Sequence, residues 1–279
     1  MPTFLSTDGT RLAHHSTGSG DPLIVLPGGP MRASAYLGDL GGLAAHRTLH
    51  LLDLRGTGAS EIPADPGSYR CDRQVGDLEA FRGQLGLERL DILAHSAGAN
   101  LALLYAARHP ERIRGLTLVA PGLAALGFQA TEASLREAAE LRSGQPWFAE
   151  AKAAFEEILA GRVTEENRQA VMPFFFGRWD AAARAVAEAS PAQRNQEAAA
   201  VFDAEGAYDP PATRAALAGL SAPVLVIAGE LDGHPRPATA REVAALFPGG
   251  RSAVVPGGGH YPWLDAPQDF VRLVTGPGR

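Results

Sequence analysis

The segment Leu93-Ala94-His95-Ser96-Ala97-Gly98-Ala99 puts a hydroxyl where an apolar run gives way abruptly to an Ala- and Leu-rich stretch. A serine held in a sharp strand-to-helix turn is pushed out of the backbone, and only small neighbours fit beside it. Gly98 meets that need, and Ala94 adds only one methyl. A serine hydroxyl alone is a poor nucleophile. It needs a base within hydrogen-bond reach, and the base needs an acid to orient it. Strand-like residues 224–228 run into Gly229-Glu230-Leu231-Asp232, and residues 253–255 run into Pro256-Gly257-Gly258-Gly259-His260. Asp232 is therefore the candidate acid, with Glu230 as runner-up, and His260 is the candidate base. Three glycines before the histidine allow its loop to bring the imidazole close to the serine. Serine, acid and histidine in this chain order suit two-step acyl transfer.

Acyl transfer also needs donors for a developing oxyanion. The turn after Ser96 offers the N–H of Ala97. Pro27-Gly28-Gly29-Pro30, after an early apolar run, offers a second. Pro30 has no N–H, so Gly29 is the candidate. The loop lacks the glycine spacing and the Lys-Ser/Thr continuation of a phosphate cradle.

The other chemistry-bearing residues point nowhere as clear. His14, His15, His46, His50 and His109 lie on N-terminal or surface-like segments and are expected to be structural, and His95 to be a packed neighbour of the serine. His234 follows the acid, but no third ligand at recognisable spacing supports a metal site. Cys71 is the only cysteine. It excludes an internal disulfide and sits in the polar run Arg70-Cys71-Asp72-Arg73, without a motif. Neither metal nor organic cofactor is expected.

The elements that must position these groups alternate along the chain. Short apolar runs at 23–26, 49–52, 90–94, 116–119, 224–228 and 253–255 each end at or beside Gly, Pro, Asp or Ser. They read as parallel strands buried on both faces. Helical patterning occupies 72–85, 100–109, 241–247 and 267–274, with Val75, Leu78, Phe81 and Leu85 at three- and four-residue spacing. Alternating strands and helices predict an α/β fold, a mostly parallel sheet with helices on both faces. Residues 122–220 break the alternation. Helical stretches at 131–141, 147–159, 164–171, 180–189 and 192–204 are punctuated at Ser143-Gly144, Gly161, Ser190-Pro191 and Pro210-Pro211. The expected organisation is a core domain of residues 1–121 and 221–279, with an inserted helical cap domain of residues 122–220.

The chain has 279 residues, 46% of them hydrophobic, and 25 basic against 31 acidic side chains, a net charge of −6. This mild acidity leaves no footprint for nucleic acid or an anionic membrane. The N-terminal residues lack the basic region and apolar stretch of an export signal, and no run nears the length of a membrane span. A cytoplasmic enzyme with a small-molecule substrate is expected; the oligomeric state stays open.

Three segments carry a family resemblance. Pro27-Gly28-Gly29-Pro30 resembles a His-Gly-Gly-Pro-Gly loop, residues 53–60 match Asp-x-Arg-Gly-x-Gly-x-Ser, and His95-Ser96-Ala97-Gly98 matches a nucleophile elbow. Together they resemble the α/β-hydrolases, and within that fold the proline iminopeptidase group. The resemblance implies acidic residues that hold a substrate's amino group, one of them next to the catalytic acid. Gly233 stands there instead, Pro27 replaces the histidine, and Met31 replaces the last glycine. Asp53 and Arg55 are expected to pair and hold their loop beside the site. Aromatics in the cap, Phe174, Phe175, Phe176 and Trp179, are expected at the seam with the core or, with Met31, around an apolar acyl pocket. The expected activity is serine-dependent cleavage of a small, uncharged and apolar ester, thioester or amide. The alternatives are an aminopeptidase of the proline iminopeptidase kind, a carbon–carbon bond hydrolase or lactone-forming enzyme, and a ligand receptor without turnover.

Overall fold

The computed structural model describes residues 1–276. Its sheet is built from β1 (Thr3–Leu5), β2 (Arg11–Gly18), β3 (Pro22–Leu26), β4 (Thr48–Leu52), β5 (Leu90–His95), β6 (Ile113–Val119), β7 (Val224–Gly229) and β8 (Gly250–Val255), in the order β1-β2-β4-β3-β5-β6-β7-β8. β1 pairs with β2, and β2 with β4, antiparallel; the other pairs are parallel. Side chains alternate between the two faces of a strand. In β3, Ile24 and Leu26 pack into one core, while Leu23 and Val25 pack into the other. Ile92 and Ala94 of β5 join the first core, and Leu93 joins the second. Burial on both faces is why these strands read as unbroken apolar runs.

β1 and β2 were not expected. β1 has three residues, and Arg-Leu-Ala-His-His-Ser-Thr-Gly in β2 has no apolar run to betray it. β2 is held by its ladder to β4, from His14↔Leu52 to Gly18↔Thr48.

Helices α1 (Val75–Gln84) and α2 (Gly98–Arg108) follow β4 and β5. Between β6 and β7 lie α3 (Glu132–Glu140), α4 (Phe148–Leu159), α5 (Glu165–Ala170), α6 (Ala181–Gln193), α7 (Gln196–Phe202) and α8 (Pro210–Leu217). Among the described residues, this stretch contains no strand of the sheet. Five of its helices start at a side-chain cap: Thr131, Thr164, Asp180, Asn195 and Asp209 each accept a backbone N–H of the first turn. α6 does not stop at Ser190-Pro191 as expected but runs through Pro191 to Gln193. Pro191 forfeits one helical bond near the helix end. Beyond it, Arg32 binds the Gln193 side chain and the Ala33 N–H binds the Gln193 carbonyl, at 2.8 Å each. After β7 come α9 (Pro237–Ala244), α10 (Pro262–Asp265) and α11 (Pro267–Thr275). α9 lies earlier than the expected 241–247 because Pro237 opens it. No helix of the described residues is long and apolar enough to cross a membrane.

Candidate active site

Ser96 stands between β5 and α2 with φ of 50°, the left-handed region that an L-residue enters only under constraint. Its N–H donates to Val119 O at 3.0 Å, and its carbonyl accepts from Gly122 N at 2.8 Å. Small neighbours are a steric requirement here. A Cβ on Gly28 would lie 2.6 Å from Ser96 Cβ, and one on Gly98 would lie 2.4 Å from Pro27 O.

Three side chains from three segments meet at this point. His260 Nε2 lies 2.9 Å from Ser96 Oγ. His260 Nδ1 lies 2.9 Å from Asp232 Oδ2. Asp232 is a carboxylate on the turn after β7 and is 3% exposed. It accepts from Nδ1–H, which leaves Nε2 free to accept from the serine hydroxyl. Asp232 Oδ1 also accepts the His234 N–H at 3.2 Å. Glu230 turns to the exposed Gly257 N–H at 2.8 Å and has no bond to the imidazole. The loop after β8 carries His260, whose N–H donates to Phe175 O at 2.7 Å.

A second hydrogen-bond chain supports the first. Gly28 N–H donates to Tyr36 Oη at 2.7 Å. That hydroxyl then donates to His95 Nδ1 at 2.7 Å, and His95 Nε2–H donates to the His260 carbonyl at 2.8 Å. This needs a neutral His95. Burial, seconded by nearby His260, holds its pKa well below the usual histidine range. His95 is thus the packed neighbour expected, and Tyr36 is a participant that the sequence did not reveal. Burial raises the Tyr36 phenol, so it stays protonated and able to donate.

The N–H groups of Gly29 and Ala97, on the two turns that meet at Ser96, have no acceptor among the described residues, whereas the N–H of Gly28 is taken by Tyr36. Gly29 has φ of 124° and cannot take a side chain without strain; a Cβ there would lie 2.7 Å from Arg32 N.

A cavity of about 490 Å³ opens beside Asp232 and His260, lined mostly by residues of the helical stretch between β6 and β7. Phe174 and Phe175 line it. Phe175 is 40% exposed and meets the His260 ring edge-on with centroids 5.8 Å apart. The other expected pocket residues do not line it. Phe176 is buried and stacks on Tyr261 at 4.7 Å, with Trp179 packed against it. Met31 is buried in the core, its sulfur 3.6 Å from Gln74 Nε2. Arg142, Arg168 and Arg194 also line the cavity, though nothing in the sequence singled them out. They lie 26 residues apart or more in sequence, so only folding brings them together.

Asp53 and Arg55 do not pair with each other as expected. Asp53 accepts from Ser34 N and Oγ at 2.8 and 2.7 Å and from Ala59 N at 3.0 Å. Arg55 instead pairs with Asp77, and with Asp8 at 2.7 Å. The strand ends at Leu52, so consecutive turns throw the two side chains to different partners. Cys71 is buried, which pushes its thiol pKa up and leaves it unreactive. Among the described residues, no group of three or more His, Cys, Asp or Glu side chains could hold a metal ion.

Comparison with known proteins agrees with this architecture. The α/β hydrolase fold profile matches residues 21–267. The chain is 35% identical over 125 residues to a proline iminopeptidase of Heyndrickxia coagulans, 44% of this chain and 43% of that one. It is 36% identical over 130 residues to a 2-hydroxymuconate semialdehyde hydrolase of Pseudomonas sp. strain CF600, 44% of each chain. The chain thus spans less than half the length of these curated relatives. Among solved structures, a proline iminopeptidase of Mycobacterium smegmatis superposes with a TM-score of 0.72 at 28% identity, covering 98% of this chain and 95% of that one. An esterase from Rhodococcus superposes with a TM-score of 0.73 at 25% identity, covering 98% and 96%. The chain belongs to the α/β-hydrolase fold family, and within it is similar to the proline iminopeptidase group.

Proposed function

We propose that this chain is a serine hydrolase that cleaves a small ester, thioester or amide through an acyl-enzyme on Ser96. The observation that carries this reading is the unbroken line of hydrogen bonds from Ser96 Oγ through His260 to Asp232, 2.9 Å at each step. Ser96 Oγ attacks the carbonyl carbon as His260 Nε2 takes its proton. Asp232 holds the imidazole in the tautomer that can accept it and stabilises the resulting imidazolium. The N–H groups of Gly29 and Ala97 receive the negative oxygen of the tetrahedral intermediate. His260 then protonates the leaving group, and water, activated by the same imidazole, releases the acid. No step calls for a metal or an organic cofactor.

Residues 122–220 serve in this reading as a cap over a core of residues 1–121 and 221–279, and the cavity under the cap holds the substrate. The likeness to proline iminopeptidases raises an aminopeptidase as a second reading. Binding a buried ammonium needs carboxylates. Asp232 is the only acidic residue lining the cavity among the described residues, and it is engaged by His260. Esters therefore fit the site better than unblocked aminoacyl amides.

Ser96→Ala tests the reading. The variant should fold, lose labelling by a serine-directed fluorophosphonate, and lose roughly 10⁴- to 10⁶-fold in kcat on an aryl ester. Near-normal turnover by a folded Ser96→Ala protein would rule Ser96 out as the nucleophile. A wild-type protein that neither labels nor turns over any acyl substrate would be a ligand receptor.

A further inference from the structure

The cavity beside His260 has an unusual lining. Its walls are apolar, with Leu135, Ile158, Val171, Met172, Phe174 and Phe175 among them. Into this surface come three guanidinium groups, those of Arg142 from just beyond α3, Arg168 from α5 and Arg194 from just beyond α6. A hydrocarbon wall interrupted by a few convergent polar groups is the ordinary form of a small-molecule site. The unusual part is that none of the three is in direct contact with a carboxylate: Asp232 and Asp265 act on Arg142, and Asp203 on Arg194, only from farther off. No carboxylate of the described residues lies within 4.0 Å of any of the three, and Asp232 is engaged by His260.

Each arginine has something left to give. Arg142 is 4% exposed. Its Nη atoms donate to the carbonyls of Leu231 and, at 3.1 Å, Phe176, while its buried Nε has no partner. Arg194 donates Nε to Pro30 O at 3.1 Å and keeps its Nη groups free of any partner among the described residues. The Arg168 side chain has no hydrogen bond or ion pair among the described residues, and it lies close enough to Arg194 to lower that group's pKa further below what burial achieves. Burial likewise brings Arg142 down to about 10. Arg168 and Arg194 are thus like charges brought together at a partly buried wall, which is costly, and an anion between them removes the cost.

We propose that this cavity binds a substrate whose apolar chain ends in a carboxylate, held by Arg168 and Arg194. The proposal rests on the serine-hydrolase reading and narrows its substrate class. A guanidinium fork suits a carboxylate in a bidentate grip. The apolar walls take the chain, and the scissile bond comes to Ser96 at the end where His260 lines the cavity. The same charges repel an ammonium.

The experiment uses two pairs of esters, because the charged chain lies on one side of the scissile bond or the other. One pair is p-nitrophenyl hydrogen adipate and its methyl ester; the other is 6-acetoxyhexanoate and its methyl ester, followed by acid release. In one of the two pairs the carboxylate form should have the higher kcat/KM by about 10-fold or more, as charge-assisted hydrogen bonds do. Raising the salt concentration should shrink that ratio. Arg168→Gln should lower the ratio toward one, and Arg168→Glu should invert it. Arg168 is exposed and contributes no tertiary hydrogen bond among the described residues, so folding is not at stake. A ratio at or below one in both pairs, with the neutral esters turned over, overturns the proposal and leaves the serine-hydrolase reading standing. If no ester is turned over, that reading fails instead. Calorimetry on the Ser96→Ala protein then still decides the inference. The anilides of adipic acid and of its methyl ester should bind with dissociation constants differing by a similar factor in favour of the acid, and equal affinities overturn it.

Discussion

At the scale of single residues, the site is a set of choices between neighbours of similar chemistry. Glu230 and Asp232 stand two positions apart on one turn, yet only Asp232 reaches the imidazole, at 2.9 Å, while Glu230 faces the exposed backbone of Gly257. Asp232→Asn should therefore cost roughly 10⁴-fold in kcat, because an amide favours the wrong imidazole tautomer. Glu230→Gln should change kcat less than about threefold, within the range of an exposed polar swap. Steady-state kinetics on both variants checks this, and a larger loss in Glu230→Gln would move the acid to that residue. The meeting of Ser96, Asp232 and His260 could be read from the sequence because each lies on the turn or loop that follows an apolar strand, so a short local pattern marks its place. Tyr36 could not. Its hydroxyl acts between Gly28 and His95, 8 and 59 positions away, and no local pattern encodes that meeting.

Among the elements, the central strands and most helices were legible because burial on two faces or on one stripe leaves a periodic trace. β1 and β2 were not, since a three-residue edge strand and its neighbour, held by backbone ladders at the end of the sheet, need no such trace. Charge adds stability that periodicity does not display. On α1, Glu79 accepts from Arg82 one turn on and from Tyr105 Oη at 2.8 Å. The Arg82 guanidinium foremost, helped by Tyr105, holds the Glu79 carboxyl down at about 2, against an ordinary 4.5. A folded-state pKa below the unfolded value adds stability that is complete above the unfolded pKa and disappears as pH falls through the folded one. Glu79→Gln should be less stable than the parent at pH 7 by about 1 kcal/mol after allowance for solvent screening. That gap should close between pH 4.5 and about 2. Urea unfolding across this range measures it; a gap that does not change with pH would show that the ion pair contributes nothing.

For the whole molecule, the question is what joins the inserted helices to the sheet. One joint is Arg32, buried with its guanidinium 4.2 Å from the centre of the Tyr36 ring. It donates to Gln193 Oε1 from Nε and Nη2, at 2.9 and 2.8 Å, and to Val186 O at 2.9 Å. Beside it, Asn195 N donates to Met31 O at 3.0 Å and Asn195 Nδ2 to Gly56 O at 2.8 Å. Arg32→Gln leaves two half-buried acceptors without their donor and should cost about 1–3 kcal/mol. In a chain of this size that lowers the melting temperature by roughly 2–10 °C. Thermal unfolding followed by circular dichroism is the measurement, and an unchanged midpoint would mean that other contacts hold the joint. The sequence marked the helical stretch between β6 and β7 clearly by its missing strands. It did not mark Arg32 or the three cavity arginines, because each stands alone in its own stretch and gains its meaning only from what folds against it.

A second joint, where Phe175 and Gly177 meet the loop of His260, has a consequence for inheritance. Phe175 O receives the N–H of the candidate base, and Gly177 is bare because a Cβ there would sit 1.9 Å from Gly257 O. The backbone that places His260 is thus written partly in the insertion. Recombination that exchanged the whole helical segment with that of a cousin would transplant the neighbour on which His260 rests, along with the pocket. A replacement segment has to keep glycine at position 177 and leave the carbonyl of position 175 to the His260 N–H, so exchange elsewhere in these helices recasts the cavity while this short stretch stays tied to His260.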